Sequence, residues 1–179
     1  MLSLVRVSTM VLNRTFGRQA IGSLILKNNN KMNTVSATYK CILAEVEEHI
    51  GHTHRTNTTE LESAGMFFLP MKFRGVFPAN QIPILTLEQP YCIVNLDSSD
   101  QVGRHWVSIA KHKGGVHFYD SYGRDGGSIL PLLILSGNGY ITNADNDVEQ
   151  SLHESNCGQR SLSWLLLYER YGAKLALEL

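Results

Sequence analysis

The sequence predicts an α+β domain. Three observations carry this: short apolar runs in succession over residues 91–119, a helical pattern at 36–50, and a mostly apolar helical segment from Asn156 or Cys157 to about Tyr171.

The 179 residues amount to one domain, large enough to bury a core without metal or disulfide staples. A hydrophobic fraction of 43% against 18% charged excludes a disordered chain. No stretch approaches the ~18 uninterrupted apolar residues that span a bilayer, so no membrane span is expected. Cys41, Cys92 and Cys157 are an odd set without a paired CxxC, which argues against a disulfide framework or structural zinc and favours a reducing compartment.

The net charge of zero hides an asymmetry. Arg6, Arg14, Arg18, Lys27, Lys31 and Lys40 precede the first acidic residue, Glu45, so the start is +6 and the rest −6. Residues 1–35 read as a basic arm. Docking on the acidic body is the expected role, with nucleic-acid contact or a targeting segment as alternatives.

Residues 36–50 form a helix with Ile42, Leu43, Val46 and Ile50 on its apolar face and Glu45, Glu47 and Glu48 on its wet side. Gly51 to Thr59 is polar and reads as a loop. His49, His52 and His54 lie in or beside it, but no carboxylate or cysteine joins them at a ligand spacing, so no metal is expected. Residues 66–95 are punctuated by Pro70, Pro78, Pro83 and Pro90 and read as short strands. The run Tyr91 to Leu96 has the unbroken apolarity of a strand covered on both faces. Trp106 to Ala110 and Val116 to Tyr119 form a hairpin around Lys113-Gly114-Gly115. Ile129–Leu135 reads as an apolar helix or half-helix, and Tyr140-Ile141-Thr142 as another strand. Gly172 is the expected stop of the last long helix.

Candidate chemistry begins at Cys157. Ser155 and Asn156 are good helix caps, which puts Cys157 at a helix amino end, where the dipole favours thiolate. Gly158 beside it would leave the sulfur open and admit a substrate backbone. A small core cysteine is the alternative. His105 and Asp120 share one end of the hairpin. A centre near His112 and Lys113 would oppose them, and a turn at Gly114-Gly115 shifts that centre by about two residues. Opposed strand residues have Cβ atoms ~5 Å apart, within reach of an imidazole–carboxylate hydrogen bond. Alone, His105 also fits a strand-end structural role and Asp120 a turn-initiating one. Gln150, seven residues before Cys157, could supply an oxyanion donor, or be surface decoration. Trp106 either stacks on the imidazole or belongs to the core.

In this order, His105, Asp120, Gln150 and Cys157 resemble the catalytic set of adenain, the adenovirus maturation protease, and of its cellular relatives, the ubiquitin-like-protein proteases. Gly103-Arg104-His105-Trp106 resembles the family's His-Trp. Phe118-Tyr119-Asp120-Ser121-Tyr122-Gly123 resembles the string that carries the acid. Gln150 with Asn156-Cys157-Gly158 resembles the oxyanion and nucleophile segment, and Ile93-Val94-Asn95 is also similar. The resemblance covers about residues 75–171.

The resemblance implies a papain-like, adenain-like domain over residues 36–179: a central mixed sheet flanked by helices, with the nucleophile at the start of a buried helix. It implies Cys157 as nucleophile, His105 as base and then acid, Asp120 as orienter and Gln150 in the oxyanion hole, with Trp106, Asn156 and Gly158 beside the substrate and no cofactor. The acid is Asp, as in the cellular enzymes. The sequence ends soon after the cysteine helix, so adenain's cofactor-peptide groove and DNA-binding surface are not carried over. Small size makes the chain most similar to maturation proteases of small double-stranded DNA viruses and virophages. These act in the virion and host cytoplasm on polypeptide precursors of capsid proteins, at sites with small residues such as Gly. Removal of a ubiquitin-like modifier is the alternative activity.

Overall fold

Helix α1 spans Lys31–Ile50, five residues longer at its start than the pattern at 36–50 predicts. The reason is Val35. It extends the buried stripe of Tyr39, Ile42 and Val46 by one more helical turn. The structure, a computed structural model, describes residues 31–145 and 147–179. The expected basic arm therefore lies, through residue 30, outside the described residues.

Helix α2, Thr58–Phe68, occupies part of what reads as loop. Its signal is local: the Asn57 side chain accepts from Glu60 N at 3.0 Å, and Glu60 reaches back to Asn57 N at 2.8 Å. This reciprocal cap satisfies two of the orphan N–H groups of a helix start. Leu61, Ala64 and Gly65 then bury its inner face.

Five strands follow: β1 Phe73–Pro78, β2 Tyr91–Asn95, β3 Trp106–His112, β4 Gly115–Tyr119 and β5 Tyr140–Asn143. They lie side by side in chain order. β1 runs parallel to β2, β2–β3–β4 are antiparallel, and β5 runs parallel to β4, so the sheet is mixed. The hairpin pairs His112 with Gly115, which puts Lys113 and Gly114 at its tip. Gly114 takes φ of 91°, a conformation that glycine adopts without a Cβ clash. Between β4 and β5 the expected helix at 129–135 is two pieces, α3 Gly126–Ile129 and α4 Pro131–Leu135. Pro131 lacks an N–H and pushes Leu130 out of helical geometry, so the two do not fuse.

Strand alternation divides the core. Val107 and Ile109 of β3 face a cluster with Val94, Phe118, Leu130 and Leu133, while Trp106 and Ala110 face the other side. There α5, Cys157–Tyr171, crosses the sheet with its first eleven residues buried, and a short α6, Ala173–Ala176, follows. Two serines permit close approach: Ser108 Oγ donates to Ser161 O at 2.6 Å, and Ser161 Oγ donates to Trp106 O at 3.0 Å. Trp164 stacks on Tyr119 with centroids 5.4 Å apart and donates to Ala176 O at 2.8 Å. Each fully buried Leu or aromatic of α5 contributes roughly 1.5–3 kcal/mol, so packing, not caps, fixes this helix. Among the described residues no helix is long and apolar enough to cross a membrane.

Candidate active site

Cys157 is the first residue of α5. Asn156 holds the cap position but makes no capping hydrogen bond. Its side chain is engaged elsewhere: Oδ1 accepts from Arg160 Nε at 2.9 Å, and Nδ2 donates to Glu47 Oε1 at 2.8 Å. The first N–H groups of α5 are thus free of a side-chain cap, which leaves them for a negative charge. Asn156, expected beside the substrate, is buried and ties α5 to α1.

Three side chains converge at this helix end. His105 directly precedes β3, and its carbonyl accepts from Leu96 N at 3.1 Å, which continues the β2–β3 pairing. Its Nε2 lies 2.6 Å from Asp120 Oδ1. That contact leaves Nδ1 for the Cys157 sulfur, which lies within hydrogen-bonding reach of the imidazole. Asp120 directly follows β4, and its carboxylate has no solvent exposure. Its Oδ1 also accepts from Tyr122 N at 3.1 Å, and its Oδ2 from Arg124 Nε at 2.5 Å. Asp120 therefore both starts the turn and receives the imidazole.

The electrostatics follow from these contacts. Burial would raise the Cys157 thiol, but the imidazole and the N–H groups of Trp106 and Gly158 outweigh it and hold the thiol below its ordinary value. Burial would lower His105, but Asp120 and Cys157 outweigh it and hold the imidazole above its ordinary value. Burial would raise Asp120, yet His105 and Arg124 keep it below the usual carboxylate range. All three shifts favour charged forms. Cys92 is the contrast: full burial in β2 pushes its thiol up, with only a minor opposing effect from Arg74. All three cysteines are free thiols.

The ring on the imidazole is Tyr122, with centroids 4.8 Å apart and planes 26° from parallel. Arg124 lies 5.3 Å from the same ring's centroid. Of the two roles open to Trp106 the core one holds: it packs under α5 and donates Nε1 to Thr56 O at 3.3 Å. Sequence reasoning missed Tyr122 and Arg124. The signal was present in the hairpin register, which continued past the strand ends sets position 122 opposite position 105.

Gly158, expected to leave room beside the sulfur, is also required by packing. A Cβ there would lie 2.1 Å from Thr56 Oγ1 and 2.9 Å from Leu61 Cδ1. The residue is glycine because α5 is pressed against α2 and the loop before it. That loop is held by Gln159, whose Nε2 donates to His54 O at 2.6 Å. His52 and His54 stack on each other at 3.8 Å. Among the described residues no His, Cys, Asp and Glu group is arranged to hold a metal ion.

Gln150 is buried. Its Oε1 accepts from Ser121 Oγ at 2.7 Å, its Nε2 donates to Glu154 O at 2.8 Å, and its N donates to Ser121 O at 3.1 Å. Ser121 is the neighbour of Asp120, so Gln150 is fastened to the segment that carries the acid. A cleft of about 320 Å3 opens beside Trp106, lined by Thr58, Phe77, Asn95, Asp97 and Gly103 among others. Trp106, whose N–H helps to lower the Cys157 thiol, is a residue of the cleft wall.

A five-stranded mixed sheet with helices carries this constellation; set against known proteins, no family model matches the sequence and no curated protein matches it.

Proposed function

We propose that the chain is a cysteine endopeptidase of adenain-like kind. The observation that carries the reading is the convergence on one helix end: a thiol held toward thiolate, an imidazole in contact with it, and a buried carboxylate 2.6 Å from the far nitrogen of that imidazole. Nucleophilic catalysis by cysteine needs these three parts in this sequence of contacts.

Cys157 Sγ attacks a peptide carbonyl. Asp120 accepts a hydrogen bond from Nε2–H, which presents Nδ1 to the sulfur and favours the imidazolium. The uncapped N–H groups opening α5 receive the developing oxyanion, joined by the second amide proton of Gln150. His105 then protonates the leaving amine, and water, deprotonated by His105, hydrolyses the thioester. The natural substrates, precursors of virion structural proteins cut beside small residues such as Gly, rest on the sequence strings around the four residues.

The test is hydrolysis of a Gly-containing peptide library together with alkylation by iodoacetamide. The wild-type chain is expected to cleave, Cys157→Ala to retain its fold and lose cleavage, and Cys157 to be alkylated much faster than Cys92. Cleavage by Cys157→Ala at the wild-type rate would overturn the reading, as would equal labelling of the two thiols.

A further inference from the structure

Gln150 is buried and tied to Ser121, but the loop that follows it has little of its own to hold it. Residues 151–155 are all exposed, and Leu152 is 90% exposed. Such a segment has no core anchor, and its position must come from polar ties.

Those ties converge on Arg160, one turn into α5. Its guanidinium is buried, with 8% side-chain exposure. Its NH2 group donates to Glu154 Oε1 at 3.0 Å, and its Nε donates to Asn156 Oδ1 at 2.9 Å. Glu154 closes the loop on itself: Oε2 accepts from Ser151 N at 2.7 Å, and its carbonyl accepts from Gln150 Nε2. Gln150 in turn holds Ser121, next to Asp120. The chain of bonds therefore runs from the nucleophile's helix through Arg160, Glu154, Gln150 and Ser121 to the acid's segment. A buried guanidinium loses solvation and is replaceable by an apolar side chain where only packing matters. Retaining one here, aimed at a half-exposed carboxylate, serves geometry.

We propose that the Arg160–Glu154 pair is a latch that sets Gln150, which makes both residues positioning residues for the reaction proposed above. The proposal rests on the cysteine-protease reading. Glu154 touches neither sulfur nor imidazole, so it acts through the placement of the Gln150 amide.

The test is a double-mutant cycle on the full chain, with kcat, KM, the iodoacetamide rate at Cys157 and the thermal midpoint measured for each variant. Gln150→Ala is expected to lower kcat by about a hundredfold. Glu154→Ala should lower kcat by about tenfold or more at unchanged KM and unchanged alkylation rate, since alkylation needs no oxyanion donor. In the Gln150→Ala background, Glu154→Ala should cost less than about twofold, because linked residues are non-additive. Glu154→Gln keeps an acceptor for Ser151 N and Arg160 and should recover most of the rate. Full additivity, a loss confined to KM, a slowed alkylation, or a Glu154→Gln variant no better than Glu154→Ala would each overturn the latch. A wild-type chain without Cys157-dependent cleavage would sink the protease reading and the latch with it. A cleaving wild type with an unaffected Glu154→Ala would sink the latch alone.

Discussion

His105 meets Asp120 two residues out of register. β3 and β4 pair Ser108 with Tyr119, and that register, continued outward, sets His105 against Tyr122 and Val107 against Asp120. The chain uses both relations: the imidazole stacks on Tyr122 and reaches diagonally to Asp120 Oδ1 at 2.6 Å. A direct pair would have left no ring over the imidazole.

Asp120→Asn should lower turnover by about a hundredfold with little change in KM, because the wrong tautomer is presented to the sulfur. Asp120 also holds the imidazole above its ordinary value. The sulfur–imidazolium pair is lost as pH rises through the His105 pKa, so Asp120→Asn should move the alkaline limb of kcat/KM to lower pH. A limb that stays in place would remove Asp120 from this role.

Tyr122→Leu takes away the ring on the imidazole and the surface under Arg124. A cation–π contact of ~0.5–2 kcal/mol predicts a loss of about twofold to thirtyfold in rate and a lower alkaline limb. Trp106→Phe should leave that limb unmoved and reduce the melting temperature, since its N–H bond to Thr56 O is lost. The reverse pattern would make Trp106 the stacking partner.

Gly158→Ala sets two effects against each other. Alanine favours a helix by about 1 kcal/mol over glycine. The contact at 2.1 Å with Thr56 Oγ1, backed by buried Leu61, forces the packing apart. Overpacking of this kind costs about 1–3 kcal/mol, so the midpoint in urea should fall. A rise would show that the α5–α2 contact yields freely.

Glu149 supplies a pH test of stability. Burial pushes its carboxyl up to about 8, from an ordinary value of 4.5, against a lowering contact from Tyr119. The folded chain holds a proton that the unfolded chain releases between these values, so this group makes stability fall as pH rises through that window. Glu149→Gln should therefore raise the melting temperature by about 3 °C or more near pH ~9 and by little near pH ~5. An equal effect at both pH values would place the carboxylate in water.

Much of this was legible in the sequence because it is local. The apolar run of α5, the alternation of β3 and β4, and the turn at Lys113-Gly114 specify themselves within a dozen residues. Even the two-residue shift of the hairpin follows from its glycines. α2 was legible too, in the Asn57-x-x-Glu60 cap, but its apolar face is too short to announce a helix by period. The fixation of Gln150 by Glu154, the use of Asn156 by Glu47, and the collision that makes residue 158 glycine were not legible. Each depends on groups brought together only by the packing of α5 against the sheet and α1. The two roles of Trp106 stayed open for the same reason: a tryptophan beside a histidine in sequence does not say which face of the sheet the indole takes.

The pieces of the constellation are not contemporaries. The imidazole and its carboxylate belong to a hairpin whose partners are neighbours in the sequence, while the sulfur arrives on the last long helix. During synthesis the amino-terminal parts emerge first, so the nascent polypeptide carries an ordinary thiol until α5 docks. The lowered thiol is thereby tied to the docking of α5 on a hairpin that is already made.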